Sequence, residues 1–202
     1  MAPEPLIPLH GGYRKLKSFQ VAQLAYDLTV RFCNRYIDRR SRTHDQMVQA
    51  ARSGVQNIAE GSVASGTSKK MELKLTNVAR ASLEELRLDY EDYLRHRAMP
   101  LWPADHPALI RFKERRCKSL EEIRTWVAEE VKDTDKHGPA RTGGVRERPC
   151  PSVYVANAAL SLLNLACHLL NRQVVALADA FEKDGGFTER LYRARLQKRQ
   201  GV

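Results

Sequence analysis

Hydrophobic residues recur every three or four positions along the first two thirds of the chain, which is the period of an amphipathic α-helix. The pattern predicts helices over residues 18–39, 44–60, 69–96 and 105–132. Strand-type alternation of apolar and polar residues does not persist anywhere. Because each of the four helices must bury one apolar stripe, the sequence predicts an all-α, up-down-up-down four-helix bundle over residues 1–132.

A longer apolar helix is predicted over residues 152–183, and its apolar positions form one heptad seam. The members of this seam are Val153, Ala156, Leu160, Leu163, Cys167, Leu170, Val174, Leu177 and Phe181. The seam would recruit a helix of a protein partner to residues 153–181 or fold back on the bundle, and the pattern leaves both open. Gly185 and Gly186 end this helix, and residues 187–199 form a short basic tail helix. Residues 133–150 are polar with Gly and Pro, which predicts a flexible linker before a helical suffix over 151–202.

The stretch from Cys150 to Asn171 carries no formal charge, so a membrane span is one interpretation. Five polar side chains on the face opposite the seam argue against it: Asn157, Ser161, Asn164, His168 and Asn171. The N-terminal residues show no apolar signal segment, and the four cysteines have no paired spacing. A cytoplasmic protein with reduced thiols and no membrane partner is therefore expected.

Charge is distributed unevenly along the chain. Lysine and arginine number 34 against 24 acidic residues, which gives a net charge of +10. Residues 14–42 hold eight Lys or Arg and two Asp, whereas residues 84–92 hold five acids and one Arg. Each region could meet a different partner, or the two could meet between neighbouring copies of the chain.

The basic region contains a row of arginines at helical spacing: Arg31, Arg35, Arg39 and Arg42, with Arg40 beside them. On a continuous helix these guanidinium groups share one face, and each can donate two hydrogen bonds to phosphate oxygens. We interpret the row as a candidate nucleic-acid-binding stripe. The alternative is a solvated helix end, where cations offset the helix dipole.

Two further basic clusters are candidates for the same role. The tail carries Arg190, Arg193, Arg195, Lys198 and Arg199, although basic termini are commonly only solubilising. Lys69 and Lys70 stand at the start of a predicted helix, where they oppose its dipole.

Two motifs are similar to those of a known family. The chain reads Gln-Met at 46–47, Ala-Ala-Arg-Ser-Gly-Val at 50–55 and Asn-Ile-Ala-Glu-Gly at 57–61, then Val-Ala-Arg-Ala-Ser-Leu-Glu-Glu-Leu at 78–86. These resemble the signatures of the four-helix-bundle proteins of 23S rRNA intervening sequences, and the bundle resembles the accessory variability protein of diversity-generating retroelements. Residues 171–173 and 185–190 resemble a suffix that a subset of these bundles carries.

The resemblance implies a bacterial, non-enzymatic bundle that assembles as a homo-oligomeric ring, commonly a pentamer, with basic surfaces that engage nucleic acid. It carries over no catalytic residue. Three residues of the signature have a structural interpretation from their types: Gly61 ends the second helix, while Asn57 and Glu60 hydrogen-bond the following loop.

The sequence offers little for an enzyme. No glycine loop has the context that cradles phosphate, and Glu85 with Asp89 lacks the Glu-x-x-His pairs of a di-iron bundle. We therefore expect no catalytic residue, metal or cofactor. The interpretation is an oligomeric accessory protein that binds nucleic acid, with RNA favoured over DNA, mainly through phosphate contacts. The alternative is a helical interaction scaffold, with no nucleic-acid role, that self-assembles by docking its basic first helix on the acidic third helix of a neighbour.

Overall fold

The computed structural model describes Ile7 and residues 10–137 and 150–200. One 3₁₀ turn (Tyr13–Lys15) precedes α1, and no strand occurs in these ranges. The helices are α1 (Lys17–Tyr36), α2 (Arg42–Ala64), α3 (Lys69–His96), α4 (Pro107–Arg115), α5 (Leu120–His137), α6 (Pro151–Asp184) and α7 (Phe187–Gln200). The predicted all-α class, the long C-terminal helix and the short tail helix are confirmed.

Four of these helices, α1, α2, α3 and α6, form the bundle. Each is antiparallel to its neighbours: the Ser18 hydroxyl at the start of α1 donates to Gln173 late in α6, over 3.1 Å. At the other end, the Asn157 amide early in α6 donates to the carbonyl of Pro100, just after α3. The core takes buried side chains from all four helices, among them Leu28, Ile58, Leu86 and Leu163. The part of the seam from Ala156 to Leu170 therefore packs on its own bundle, whereas Val174, Leu177 and Phe181 are half-buried.

The helix predicted over residues 105–132 is wrong, because the chain forms two helices there. Arg116 adopts a left-handed conformation (φ 50°) that ends α4. The Ser119 hydroxyl then accepts from the Glu122 backbone N–H, while the Glu122 carboxylate accepts from the Lys118 N–H. These two bonds cap α5 at its start.

Helix length explains which helices share the core. The nine residues of α4 span about 14 Å, less than half of the roughly 42 Å of α3. The 34 residues of α6 span the whole bundle and extend beyond it. The predicted boundary between a bundle over residues 1–132 and a suffix over 151–202 thus separates α6 from α1 and α3, on which it packs.

The α4–α5 pair lies against the outer face of α6. Arg111 on α4 makes two hydrogen bonds to buried Glu130 on α5, at 2.7 and 2.5 Å. Trp126 fills the space between Phe112 and Tyr154, with ring centroids 4.8 and 6.2 Å away.

The linker predicted over residues 133–150 begins too early. Helix α5 continues to His137, because residues 133–137 include neither glycine nor proline, and the first such residues are Gly138 and Pro139. The rest of the predicted linker, residues 138–149, lies outside the described residues.

By length and composition, the helical segment Pro151–Leu196 is the one candidate membrane span among the described residues. However, 67% of its most apolar window is buried inside the structure. The apolar first half of α6 faces α1 and α3 on one side and the α4–α5 pair on another. Packing within the protein therefore accounts for its uncharged sequence.

Candidate nucleic-acid interface

The arginine row does not lie on one helix, so the predicted continuous stripe is wrong. Helix α1 ends at Tyr36, and Ile37 is extended (φ −119°). The Asp38 carboxylate accepts a hydrogen bond from the Arg40 backbone N–H over 2.9 Å, and Ser41 caps α2 through the N–H of Thr43. These local bonds turn the chain before Arg39 could extend the helix.

The five cations instead surround this turn, and we name them the arginine turn: Arg31 and Arg35 on α1, Arg39 and Arg40 in the connection, and Arg42 at the start of α2. All five side chains are exposed. Among the described residues none of them forms an ion pair. Their charges therefore remain available to a ligand.

Two of these guanidinium groups have neutral contacts that hold them near the turn. Arg39 donates to the Asn34 side-chain oxygen over 3.3 Å. The Arg35 guanidinium lies 5.7 Å from the centre of the Tyr36 ring. Neither contact neutralises the charge, so the turn is partly ordered and still cationic.

The end of α3 lies beside the arginine turn, because α3 is antiparallel to α2. A pocket of about 190 Å³ separates them and is lined by Ile37, Ser41, Thr43, Asp89, Asp92, Tyr93, His96 and Arg97. The Arg97 guanidinium lies 4.0 Å from the centre of the Tyr93 ring. Arg97 is thus a sixth cation at this end, which the spacing of the other arginines does not predict. The antiparallel return of the third helix would have predicted it, because it brings the end of α3 beside the start of α2.

Most of the acidic region of α3 is neutralised within the helix. Arg87 pairs with Glu84 at 2.8 Å and with Glu91 at 3.0 Å. Asp92 pairs with Arg95 at 2.6 Å. Three of the five acids therefore have a cation of their own.

Glu85 and Asp89 make no ion pair in the described part of the chain. Burial, together with the nearby charges of Glu85 and Asp92, raises the pKa of Asp89 to about 6. Leu88 lies between them in the sequence and is 55% exposed. This acidic and apolar surface on α3 adjoins the arginine turn without contacting its guanidinium groups.

The other two predicted basic clusters lie at the opposite end of the bundle. Lys69 pairs with Glu72 at 3.1 Å, which gives it a local partner, whereas Lys70 is exposed. The tail residues Arg193, Arg195, Lys198 and Arg199 are exposed on α7, and Arg190 is half-buried. α7 makes little contact with the bundle helices. The structure therefore does not bring the three basic clusters together.

The signature residues lie within α2 and not in a loop, so Gly61 does not end the helix; α2 continues to Ala64. The Asn57 amide donates to the Ser53 carbonyl and hydroxyl, and the Ser53 hydroxyl lies 3.0 Å from that of Ser82 on α3. Glu60 is exposed and makes no hydrogen bond with the described residues. The expected loop contacts of Asn57 and Glu60 are wrong: Asn57 bonds to Ser53 within α2, and Ser53 in turn joins α2 to α3.

Gly61 does not end a helix; its role is in the packing of two helices. A Cβ added there would lie 3.3 Å from Leu75 Cβ. Gly54, one heptad earlier, is tighter, because an added Cβ would lie 2.4 Å from Leu83 Cδ2. The two glycines allow α2 and α3 to approach closely.

Two of the four thiols have the environment of core residues, whereas Cys117 is half-buried and Cys150 is exposed. Cys33 and Cys167 are buried, and burial raises the pKa of each to about 12. A thiol with such a pKa holds little thiolate at neutral pH and is a weak nucleophile. Within the described ranges, no group of three or more His, Cys, Asp or Glu side chains could hold a metal ion.

Comparison with protein-family models, with curated proteins and with solved structures finds no match.

Proposed function

We propose that this chain is a non-enzymatic accessory protein that binds nucleic acid, RNA or DNA, and assembles as a homo-oligomer. The arginine turn is the primary contact surface, and it binds mainly phosphate groups. Weak sequence preference follows, because phosphate contacts carry no base information.

One observation carries the proposal. Five exposed guanidinium groups lie within twelve residues around a single helix–helix turn, and none forms an ion pair with the described residues. Arg97 adds a sixth cation at the same end. A solvated helix end accounts less well for the cluster, because only Arg31 and Arg35 belong to α1 and Arg42 begins α2.

Oligomerisation would strengthen such a surface. One turn neutralises only a few phosphates, so a single copy binds weakly at physiological salt. Several copies presenting the same turn to one nucleic acid add avidity without any new type of contact.

The test is the salt dependence of binding to a labelled single-stranded RNA, measured by fluorescence anisotropy. We expect the triple variant Arg35→Gln, Arg39→Gln, Arg42→Gln to bind less tightly and to reduce the slope of log K against log salt by about 2, near 0.7 per lost contact. A control variant removes three exposed cations elsewhere: Arg52→Gln, Arg124→Gln and Lys132→Gln.

The control should retain most of the slope, because it loses the same net charge from α2 and α5 and leaves the turn intact. Equal losses in the two triple variants would mean that net charge alone attracts the RNA. No binding by the unmodified chain at low salt would refute the proposal.

A second function, a self-assembling interaction scaffold, is favoured by the outer surface of α3. Glu85 and Asp89 lack ion-pair partners among the described residues, and Leu88 between them is exposed. The arginine turn of a neighbouring copy would complement this surface in charge. In that case the arginines of the turn are neutralised by these carboxylates inside the assembly.

Charge reversal separates the two functions. Because Glu84 is already paired with Arg87, the informative double variant is Glu85→Lys with Asp89→Lys. Dissociation to monomers in light scattering, with RNA binding retained, would assign α3 to assembly and the turn to nucleic acid. Unchanged assembly size would count against the scaffold.

A further inference from the structure

An open groove lies on the outer face of α6, and none of the arginine-turn residues lines it. Its volume is about 1290 Å³, and α1, the α3–α4 connection and α4 form its borders. Apolar side chains from each border line it, including Val21, Leu101, Leu109 and Leu165. Leu101 and Leu165 are 56% and 47% exposed. The groove is larger than the roughly 300–1,000 Å³ of ordinary small-molecule sites.

The polar face of α6 forms the floor of this groove. Ser161, Asn164 and His168 line it and make no hydrogen bond with the described residues. Asn157, at one end, is satisfied by Trp102 N–H and the carbonyls of Pro100 and Val153. From Asn157 to His168 the floor extends about 16 Å, the length of three helical turns. An occupant must therefore offer polar groups to this floor and apolar side chains to its flanks, and an amphipathic helix carries both.

The charge of the groove border is mainly positive. Lys17, Lys113, Arg116 and Lys118 line the groove, whereas Glu91 is the one carboxylate among the described lining residues and is paired with Arg87. Arg116 and Lys118 are exposed and form no ion pair among the described residues. An occupant with acidic flanks would satisfy both cations.

Nucleotide bases fit the groove less well than a helix does. Trp102 is the groove's large aromatic side chain, but His106 stacks on it at 4.2 Å with an interplanar angle of 6°. Tyr154 contacts the same indole edge-on at 5.0 Å. With these neighbours, the indole offers little free surface on which a base could stack.

We propose that this groove binds an acidic amphipathic helix of a protein partner. The apolar side of that helix would cover Leu165 and Leu101, and its acidic side chains would meet Arg116 and Lys118. This site is separate from the arginine turn, so one chain could hold a protein partner and a nucleic acid together.

The test uses two synthetic helical peptides of about 18 residues with identical leucine positions, one with glutamate and the other with lysine along the polar flanks. Binding of each labelled peptide to the full-length chain is measured by fluorescence anisotropy. We expect the acidic peptide to bind at least about tenfold more tightly than the basic one. Leu165→Asn should weaken it about tenfold, whereas Val175→Asn, equally exposed on α6 but outside the groove, should not.

A charge variant tests the border. Arg116→Gln with Lys118→Gln should weaken the acidic peptide, while Arg124→Gln with Lys132→Gln on α5 should leave it unchanged. Equal binding of both peptides, or equal effects of Leu165→Asn and Val175→Asn, would overturn the proposal. Dissociation of an oligomer by Leu165→Asn would instead assign the groove to a second copy, and displacement of the peptide by RNA would assign it to nucleic acid; either result also overturns it.

Discussion

Gly54 is the position where a single methyl group would disturb the bundle most directly. An added Cβ would lie 2.4 Å from Leu83 Cδ2, so Leu83 would have to move within the core. We expect Gly54→Ala to lower the free energy of unfolding by about 1–3 kcal/mol despite the better helix propensity of alanine. Urea denaturation followed by circular dichroism measures this.

Two other glycines serve as controls. Gly61→Ala should cost less, because the closest contact would be 3.3 Å, and Gly12→Ala should be near neutral, because nothing lies within 4 Å. Equal effects at all three positions would contradict the close packing of α2 on α3.

Asp89 is expected to make stability depend on pH. Its pKa of about 6 is above the unfolded value of 3.8, so the folded state binds the proton more tightly. Stability should therefore fall as the pH rises from about 4 through 6, by no more than about 1 kcal/mol once solvent screening is considered. Asp89→Asn should remove this fall and stabilise the protein at pH 7, as thermal unfolding at pH 5 and 7 can test. A fall that persists in Asp89→Asn would contradict the assignment.

The role of a single residue was predictable only where its type and spacing decide it. Tyr90 and Tyr93 lie on the apolar face of the third predicted helix, and both are buried in the core. Gly61 was interpreted as a helix end because glycine commonly ends helices. Its real role depends on the approach of a second helix, which periodicity along one helix does not reveal.

At the scale of elements, the α4–α5 pair depends on one ion pair between a buried carboxylate, Glu130, and an exposed guanidinium, Arg111. Glu130 is buried and accepts two hydrogen bonds from Arg111, whereas Glu129 is exposed and pairs with Arg115. We expect Glu130→Gln to cost about 1–3 kcal/mol and Glu129→Gln less than about 1 kcal/mol. Chemical denaturation of both variants compares them directly. Similar costs would mean that burial adds nothing to the Arg111 contact.

Capping residues predict helix boundaries that the spacing of apolar residues does not show. The Ser119 and Glu122 pair has the spacing of a capping box and could have divided the predicted fourth helix. Likewise, Asp38 and Ser41 end α1 and begin α2 through side chains that favour turns. Apolar periodicity continues across the break at Arg116, so periodicity alone predicts one helix over residues 105–132 where the capping residues mark two. At the first break, periodicity separates α1 from α2 but places the end of α1 three residues too late.

The bundle as a whole depends on a helix that is distant in sequence. Leu160, Leu163 and Leu170 of α6 are buried in the core shared with α1 and α3. We expect a chain ending at residue 150 to lose cooperative thermal unfolding, because those contacts are removed. A chain ending at Gly186 should keep its stability, since α7 contributes little to the core. A cooperative transition in the shorter chain would show that the first three helices and α4–α5 suffice.

The all-α class was predictable from the sequence, but which four helices form the bundle was not. Periodicity indicated an all-α bundle and a long helix with a continuous seam, and both are present. Which four helices share the core depends on length matching, and the break at Arg116 left α4 and α5 too short to span the bundle. For the candidate interface, the spacing of the arginines predicts a row on one helix, but hydrogen bonds of Asp38 and Ser41 place them around a turn.

Multi-angle light scattering of the full-length chain, with and without a single-stranded RNA at low salt, tests directly whether the chain is an oligomer that binds RNA through the arginine turn. We expect an oligomer whose mass is a multiple of 23.0 kDa and increases when RNA is added. We also expect this increase to disappear in the triple variant Arg35→Gln, Arg39→Gln, Arg42→Gln. A 23.0 kDa particle whose mass RNA leaves unchanged would contradict it.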